Sequence, residues 1–134
     1  MKMTGVCTCK NWTVAMDFPG QLKDLTPRIC DCDYCKKYPS VIISHPNSTV
    51  LFEGGKAEIR SNGDQLARFS SCSVCKRFLA VTSVINGQVR GAVNAELFGD
   101  VNMYGAPKQI QPYLLSADQK IERWAQLWGI VAGV

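Results

Sequence analysis

The sequence predicts a mainly β protein with a short C-terminal helix. Short β-branched and aromatic runs recur along most of the chain, separated by Gly, Pro or Asn-Gly. Two Asn-Gly pairs lie between such runs, and this dipeptide is the strongest local signal for a β-hairpin. Helical spacing of apolar residues is found only near the C-terminus. These observations favour mostly antiparallel strands, arranged as a sandwich or a partly open barrel.

The first predicted strand covers residues 6–18, where apolar and polar side chains alternate until Pro19-Gly20 interrupts the pattern. We expect a bent entry to this strand, because the backbone must turn if the nearby Cys7 and Cys9 are to bind one ion. Residues 21–29 are predicted to be a connector. Residues 33–38 are predicted to form a helical turn.

Six further strands are predicted from β-branched and apolar runs bounded by turn residues. They cover residues 41–45, 48–52, 56–60, 65–70, 78–85 and 88–93. Asn62-Gly63 and Asn86-Gly87 should join the last two pairs as hairpins, since both residues tolerate a positive φ.

Residues 94–115 have little periodicity and are predicted to be loops with one or two short strands. Ser116 and Gln119 then have the spacing of a helix capping box. Gly129 is the expected end of that helix. Its apolar residues have helical spacing and are expected to form core or interface: Ile121, Trp124, Leu127 and Trp128.

The composition is that of a globular protein, and we expect a single domain over residues 1–134. The net charge of +4 is dispersed rather than concentrated in a basic block, so no nucleic-acid partner is expected. No window approaches the roughly 18 apolar residues of a membrane span, and the N-terminus lacks an apolar export segment. A cytoplasmic protein with reduced cysteines and no membrane partner is therefore predicted.

All seven cysteines fall in three tight clusters. The clusters are Cys7 with Cys9, then Cys30, Cys32 and Cys35, and finally Cys72 with Cys75. Clustered thiols in a reducing compartment indicate metal ligands. Zinc is the first choice, because all-thiolate sets suit tetrahedral Zn²⁺, and an iron–sulfur cluster is the alternative.

Two partitions of these ligands are open. In one, Cys7, Cys9, Cys72 and Cys75 close a site and leave Cys30, Cys32 and Cys35 as a triad. In the other, two central cysteines form a zinc ribbon with Cys72 and Cys75, which leaves three thiols without a site. The first is more economical, and its triad keeps the open position that distinguishes catalytic from structural zinc. Since three thiolates make zinc a weak Lewis acid, thiol chemistry is favoured over hydrolysis.

The cysteine order resembles that of a known family over about residues 5–100. The matching motifs are Gly5-x-Cys7-x-Cys9, Cys30-x-Cys32-x-x-Cys35 and Cys72-x-x-Cys75 followed by Leu79. They are similar to those of the glutathione-dependent formaldehyde-activating enzymes, a family that includes centromere protein V. The two basic residues Lys36 and Lys37 after the triad resemble the centromere protein V branch, whose members often carry two basic residues there. Asp31 stands where formaldehyde-activating members usually have His, and Lys76 where they usually have Gly.

The resemblance implies an Mss4-like fold of layered antiparallel β-sheets with zinc sites. It implies structural zinc on Cys7, Cys9, Cys72 and Cys75, and catalytic-type zinc on Cys30, Cys32 and Cys35, or about two zinc ions per chain. The implied activity is that of a carbon–sulfur lyase on a thiol adduct of formaldehyde or another small electrophile, with glutathione as co-substrate. The alternative is a non-catalytic zinc-binding module for protein interaction, which exposed Trp124 and Trp128 would favour.

Other polar residues are weaker candidates. His45 could act as a general base, although a single histidine at a strand end is more often structural. Asp31 and Asp33 flank the triad ligands and could relay protons. Four cationic side chains could bind a carboxylate of the substrate: Arg28, Lys36, Lys37 and Arg68.

Overall fold

A computed structural model of the protein describes residues 1–30, 40–61 and 65–134. Within these ranges the chain forms one connected sheet of 11 strands and one α-helix, α1 (Ala117–Leu127). The mainly β class with a short C-terminal helix is confirmed. The strands are β1 (Lys2–Val6), β2 (Trp12–Asp17), β3 (Arg28–Cys30), β4 (Val41–Ile43), β5 (Thr49–Gly54), β6 (Ala57–Ser61), β7 (Arg68–Cys72), β8 (Phe78–Ile85), β9 (Gln88–Asn94), β10 (Lys108–Ile110) and β11 (Gly129–Ala132).

The sheet divides at β9. One edge of β9 pairs with β8 along almost its whole length. The other edge pairs first with β11, at Arg90 and Gly91, and then with β4, at Val93 and Asn94. One branch continues from β11 through β5 and β2 to β1, another from β4 through β3 to β10, and a third from β8 through β7 to β6.

The sheet is mixed, which differs from the layered antiparallel sheets that we expected. Most pairs are antiparallel, but β3 with β10 and β5 with β11 are parallel. Both parallel pairs depend on very short strands, since β10 has 3 residues and β11 has 4. Strands of this length carry no readable period, so their partners follow from tertiary packing.

The prediction of one strand with a bent entry over residues 6–18 is confirmed only for its second half, β2, because the chain reverses direction at the cysteines instead of bending. β1 ends at Val6, β2 begins at Trp12, and the two strands pair side by side as a hairpin. The prediction of a connector over residues 21–29 is also incomplete, because β3 occupies its end. The predicted helical turn over residues 33–38 and the turn at Asn62-Gly63 lie outside the described residues.

The Asn86-Gly87 hairpin is confirmed. Asn86 has φ 52° and Gly87 has φ 78°, while Ile85 pairs with Gln88 across the turn. Two consecutive positive φ values match the twist of the flanking strands. The strand before this turn, β8, has the bounds that the sequence predicts.

The capping box at the start of α1 is also confirmed. The backbone N–H of Gln119 donates to Ser116 Oγ at 3.2 Å, and the N–H of Ser116 donates to Gln119 Oε1 at 2.9 Å. These bonds satisfy backbone donors that the first helical turn would otherwise leave unpaired. None of the described helices is long and apolar enough to cross a membrane.

Gly129 follows the helix as expected but has a different role from a helix stop. It is the first residue of β11, and a Cβ there would lie 2.1 Å from Ser48 Oγ and 2.6 Å from the His45 carbonyl oxygen. Such distances are shorter than any tolerated contact, so only glycine lets β11 lie against the segment before β5.

The buried residues form two clusters. The larger one contains apolar residues of β2 and β5 together with Cys7 and Cys72. The smaller one lies between α1 and the sheet: Ala67, Phe78, Val81, Ile85, Ala92, Trp124 and Trp128. The apolar face of α1 is therefore core, as its helical spacing indicates.

Tyr104→Phe should destabilise the protein by about 1–2 kcal/mol, because it removes a buried hydrogen bond. Tyr104 is 2% exposed, and its hydroxyl donates to the Ala95 carbonyl oxygen at 2.7 Å. Burial also raises the pKa of Tyr104. The unfolded hydroxyl ionises near pH 10 while the folded one stays neutral, so stability should fall above about pH 10. Urea denaturation at pH 7 and pH 10.5 measures both effects. A Tyr104→Phe variant that is as stable as the wild type at pH 7, or that keeps the whole alkaline loss, would contradict this account.

Candidate metal centre and candidate binding cavity

Four of the cysteines meet at one point. Cys7 and Cys9 lie in the turn between β1 and β2, Cys72 ends β7, and Cys75 lies in the turn before β8. Their sulfur atoms all lie within 4.8 Å of one another. Cys9 Sγ is 3.5 Å from Cys7 Sγ and 3.6 Å from Cys72 Sγ. Zn–S bonds of about 2.3 Å in a tetrahedron separate the sulfurs by about 3.8 Å, so this four-cysteine cluster could hold one metal ion.

The two turns that carry these cysteines have similar backbone hydrogen bonds. In each turn, the N–H of the first cysteine donates across the turn. The Cys7 N–H donates to the Trp12 carbonyl oxygen at 3.1 Å, and the Cys72 N–H donates to the Arg77 carbonyl oxygen at 2.9 Å. Each turn also contains a second hydrogen bond of 3.0 Å. The Lys10 N–H donates to the Cys7 carbonyl oxygen, and the Lys76 N–H donates to the Cys72 carbonyl oxygen. The turns thus aim both thiols of a pair in one direction.

The residue after each cysteine pair is a lysine in a left-handed conformation, with φ 66° at Lys10 and 63° at Lys76. Glycine adopts this conformation without cost, whereas another residue pays about 1–2 kcal/mol. Here the Lys76 ammonium donates to the Glu58 carboxylate on β6 and lowers the pKa of Glu58.

One carbonyl oxygen joins the two turns. The Lys56 carbonyl, between β5 and β6, accepts from the Trp12 indole Nε1 at 3.2 Å and from the Ser73 N–H at 3.1 Å. Trp12 belongs to the strand after the first turn, and Ser73 belongs to the second turn. This shared acceptor holds the two cysteine pairs against each other.

The protein also stabilises negative charge on these sulfurs. The Trp12 N–H donates to Cys7 Sγ at 3.3 Å. Burial opposes ionisation of Cys75, but hydrogen bonds from the backbones of Cys9 and Arg77 and from the Cys9 and Cys72 thiols outweigh it and lower the pKa of Cys75 to about 6. For Cys9, a backbone hydrogen bond from Asn11 lowers the pKa, but burial and the other three thiols raise it to about 11. The lowered pKa of Cys75 favours its thiolate form, the form that binds a metal cation.

Cys30 does not belong to the four-cysteine cluster. It ends β3, is half-buried, and lines a cavity elsewhere on the sheet. Cys32 and Cys35 lie outside the described residues, as do Asp31, Asp33, Lys36 and Lys37. Of the three cysteines in the predicted triad, the structure therefore describes only Cys30.

The cavity that Cys30 lines has a volume of about 240 Å³ and lies between α1 and the sheet. Its walls are mostly apolar, and six of the apolar and aromatic lining residues are Ile42, Phe69, Phe78, Val81, Trp124 and Trp128. Trp124 and Trp128 stack with ring centroids 4.5 Å apart and an interplanar angle of 5°. Apolar walls with a few polar groups are typical of small-molecule sites.

The polar groups of this cavity include three cations: Arg28, Lys108 and Arg123. No described lining residue is acidic, and no described carboxylate makes an ion pair with any of the three. Arg28 is half-buried, and its guanidinium donates to Ser44 Oγ at 3.1 Å. Burial lowers the pKa of Arg28, and the nearby positive charge of Arg123 lowers it further. This side of the cavity is therefore electropositive.

Two other predicted residues lie away from the cavity. His45 Nδ1 accepts from the Asn47 N–H at 3.0 Å, and the His45 carbonyl accepts from Ser48 Oγ at 2.7 Å. His45 thus stabilises a turn, as expected of a structural histidine. Arg68 is exposed on β7 and does not line the cavity, so only Arg28 of the described carboxylate-binding candidates lies there.

Sequence reasoning missed Arg123 and Lys108. A partial signal existed for Arg123, because it is four residues before the apolar Leu127 and therefore shares a helix face with it. No local signal exists for Lys108. Its place beside Arg28 arises from the parallel pairing of β10 with β3.

No family model and no curated protein significantly matches this chain. The chain is similar to the crystal structure of a Rhodobacter sphaeroides protein, a Northeast Structural Genomics target, with a TM-score of 0.57 and 18% identity. The match covers 79% of this chain and 100% of that chain. At this identity, what the two proteins share is the fold.

Proposed function

We propose that this protein is a zinc-dependent carbon–sulfur lyase-type enzyme that acts on a thiol adduct of formaldehyde or another small electrophile. Glutathione is the reference thiol, since we also propose the formaldehyde-activating and centromere protein V family for this chain, and a cytoplasmic location. In this proposal Cys7, Cys9, Cys72 and Cys75 hold a structural zinc. Cys30, Cys32 and Cys35 hold a reactive zinc with an open position.

The observation that carries the proposal is the position of Cys30. Cys30 is separate from the four-cysteine cluster and contributes to the wall of a cavity large enough for a small molecule. A purely structural thiol has no need of such a cavity. A thiol that belongs to a reactive centre does, because its substrate must reach it.

The reaction needs no oxidant or reductant. In the synthetic direction a thiol adds to an aldehyde: the carbon–sulfur bond forms, the carbonyl π bond breaks, and the thiol proton moves to the carbonyl oxygen. Cleavage is the reverse. A zinc ion held by the triad would stabilise a thiolate at neutral pH. The walls are mostly apolar, and Arg28 and Arg123 line the same cavity as Cys30, where their positive charge would stabilise an anionic group of the substrate.

Cys32→Ser should abolish this activity and remove about one of about two zinc ions, while the thermal transition stays cooperative. The assay is NMR observation of adduct formation from glutathione and formaldehyde, beside zinc analysis of the same sample. Lys10→Gln is the control, because it changes a residue next to the other zinc ligands and should leave the activity unchanged. If Cys32→Ser keeps full activity, or unfolds the protein as Cys72→Ser should, then the triad is not a reactive site.

The alternative of a non-catalytic interaction module is not favoured. It drew on the two helical tryptophans, which would have to be exposed to meet a partner. Trp124 is 8% exposed and Trp128 is 5% exposed, so both are used within the protein.

A further inference from the structure

The cavity beside Cys30 combines an apolar body with a cationic side. Its aromatic and aliphatic walls offer few hydrogen bonds, whereas Arg28, Lys108 and Arg123 supply only donors. A half-buried guanidinium without a described acidic partner is costly, and a bound anion would offset that cost. The chemistry of the cavity is thus complementary to a molecule with an apolar body and one anionic group.

We propose that the cavity binds an apolar monocarboxylic acid, with its carboxylate between Arg28 and Arg123, and that this acid is the body of the thiol adduct on which the enzyme acts. The inference rests on the proposed function for its sulfur chemistry only, because the binding itself needs no reaction.

The strand geometry supports a single ligand that contacts both groups. Arg28 and Cys30 are two residues apart on β3, so their side chains lie on the same side of the sheet. Ile29, between them, is 42% exposed on the other side. Arg123 approaches the same cavity from α1. A carboxylate between the two arginines therefore leaves the rest of the ligand within the apolar walls and beside Cys30.

The size of the cavity fits such an acid. A dry apolar cavity of about 150 Å³ holds one benzene molecule. A volume of about 240 Å³ leaves room for a phenyl ring with a short carboxylate chain. The stacked indoles of Trp124 and Trp128 provide an aromatic wall for that ring.

Glutathione is less well matched to these walls. It carries two amides and an ammonium group besides its two carboxylates. The amides would lose water against apolar side chains, and the ammonium group would meet three cations and no acidic lining residue within the described part of the chain. An apolar monocarboxylic acid has no amides to desolvate and no ammonium group to be repelled.

Tryptophan fluorescence of the zinc-loaded protein tests the inference directly, because the cavity contains two tryptophans. The probes are 3-phenylpropionate, the neutral 3-phenylpropanol, and glutathione. We expect 3-phenylpropionate to bind at least about 10-fold more tightly than either of the others, since a charged hydrogen bond is worth a factor of about 10 to 100. Equal binding of the acid and the alcohol would overturn the inference, as would tighter binding of glutathione.

Three arginine variants locate the carboxylate. Arg28→Gln and Arg123→Gln should each weaken 3-phenylpropionate by about 10-fold or more and leave 3-phenylpropanol unchanged. Arg68→Gln is the matched control, being an exposed arginine outside the cavity, and should change neither ligand. Arg123 is exposed on α1, so Arg123→Gln should fold even if Arg28→Gln does not. In that case the binding data for Arg123→Gln alone test the position of the carboxylate. A loss with Arg68→Gln as large as with Arg123→Gln would refute the site.

Titrations of the wild-type protein, beside its activity assay, separate this inference from the proposed function. If the wild type binds 3-phenylpropionate in this charge-dependent way but forms no thiol adduct, the binding site stands, while the proposed function and the assignment of the acid to its substrate are refuted. Thiol chemistry on glutathione without charge-dependent binding of 3-phenylpropionate would refute only the inference.

Discussion

Cys72→Ser should destabilise the protein by about 4 kcal/mol or more and remove one metal ion per chain. Cys72 Sγ lies within 4.8 Å of the other three sulfurs of the four-cysteine cluster, and the residue is 0% exposed. A serine hydroxyl is a poor replacement for a thiolate and would leave three sulfurs without a fourth ligand. Because the cluster joins the β1–β2 turn to the β7–β8 turn, its loss should release both. Zinc analysis and urea denaturation measure the two effects.

Cys30→Ser is the matched control for this loss of stability. It makes the same change of atom in a half-buried residue outside the four-cysteine cluster. It should therefore cost less than about 1 kcal/mol, even though it removes a ligand of the proposed reactive zinc and with it that ion. A chelator should lower the urea midpoint of the wild type but not that of Cys72→Ser. If Cys72→Ser kept its full metal content and its wild-type midpoint, the four cysteines would not be a structural metal site.

Trp128→Ala should cost about 3–5 kcal/mol, the usual effect of deleting a large buried aromatic side chain. Trp128 is 5% exposed and stacks on Trp124 with ring centroids 4.5 Å apart. Its removal would leave a void between α1 and the sheet that neighbouring side chains can fill only in part. Urea denaturation followed by circular dichroism gives the free energy without depending on tryptophan emission.

Val84→Ala provides the comparison for this truncation. Val84 is 64% exposed near the tip of the β8–β9 hairpin, so its loss should change stability by less than about 0.5 kcal/mol. A cost below about 1 kcal/mol for Trp128→Ala would mean that α1 contributes little to the core. That result would reopen the interaction-module alternative for the helix face.

The features that the sequence predicts well are local ones. The Asn86-Gly87 turn depends on two residues that tolerate a positive φ, and the start of α1 depends on Ser116 and Gln119, three residues apart. In each case the contacts that decide the structure lie within a few positions of one another. The same holds within each cysteine pair, since one turn of backbone sets the direction of both thiols.

The sequence by itself determined the set of thiols, their grouping into two pairs and a triad, and the turn between strands that carries Cys72 and Cys75. The tertiary structure alone decided that Cys9 meets Cys72, 63 positions away, because that contact depends on how the branches of the sheet diverge from β9. It also decided that Arg28 and Arg123 share one cavity, through a three-residue strand and a helix that meet only in the folded chain. Such long-range pairs carry no period or turn signal, so packing alone selects them.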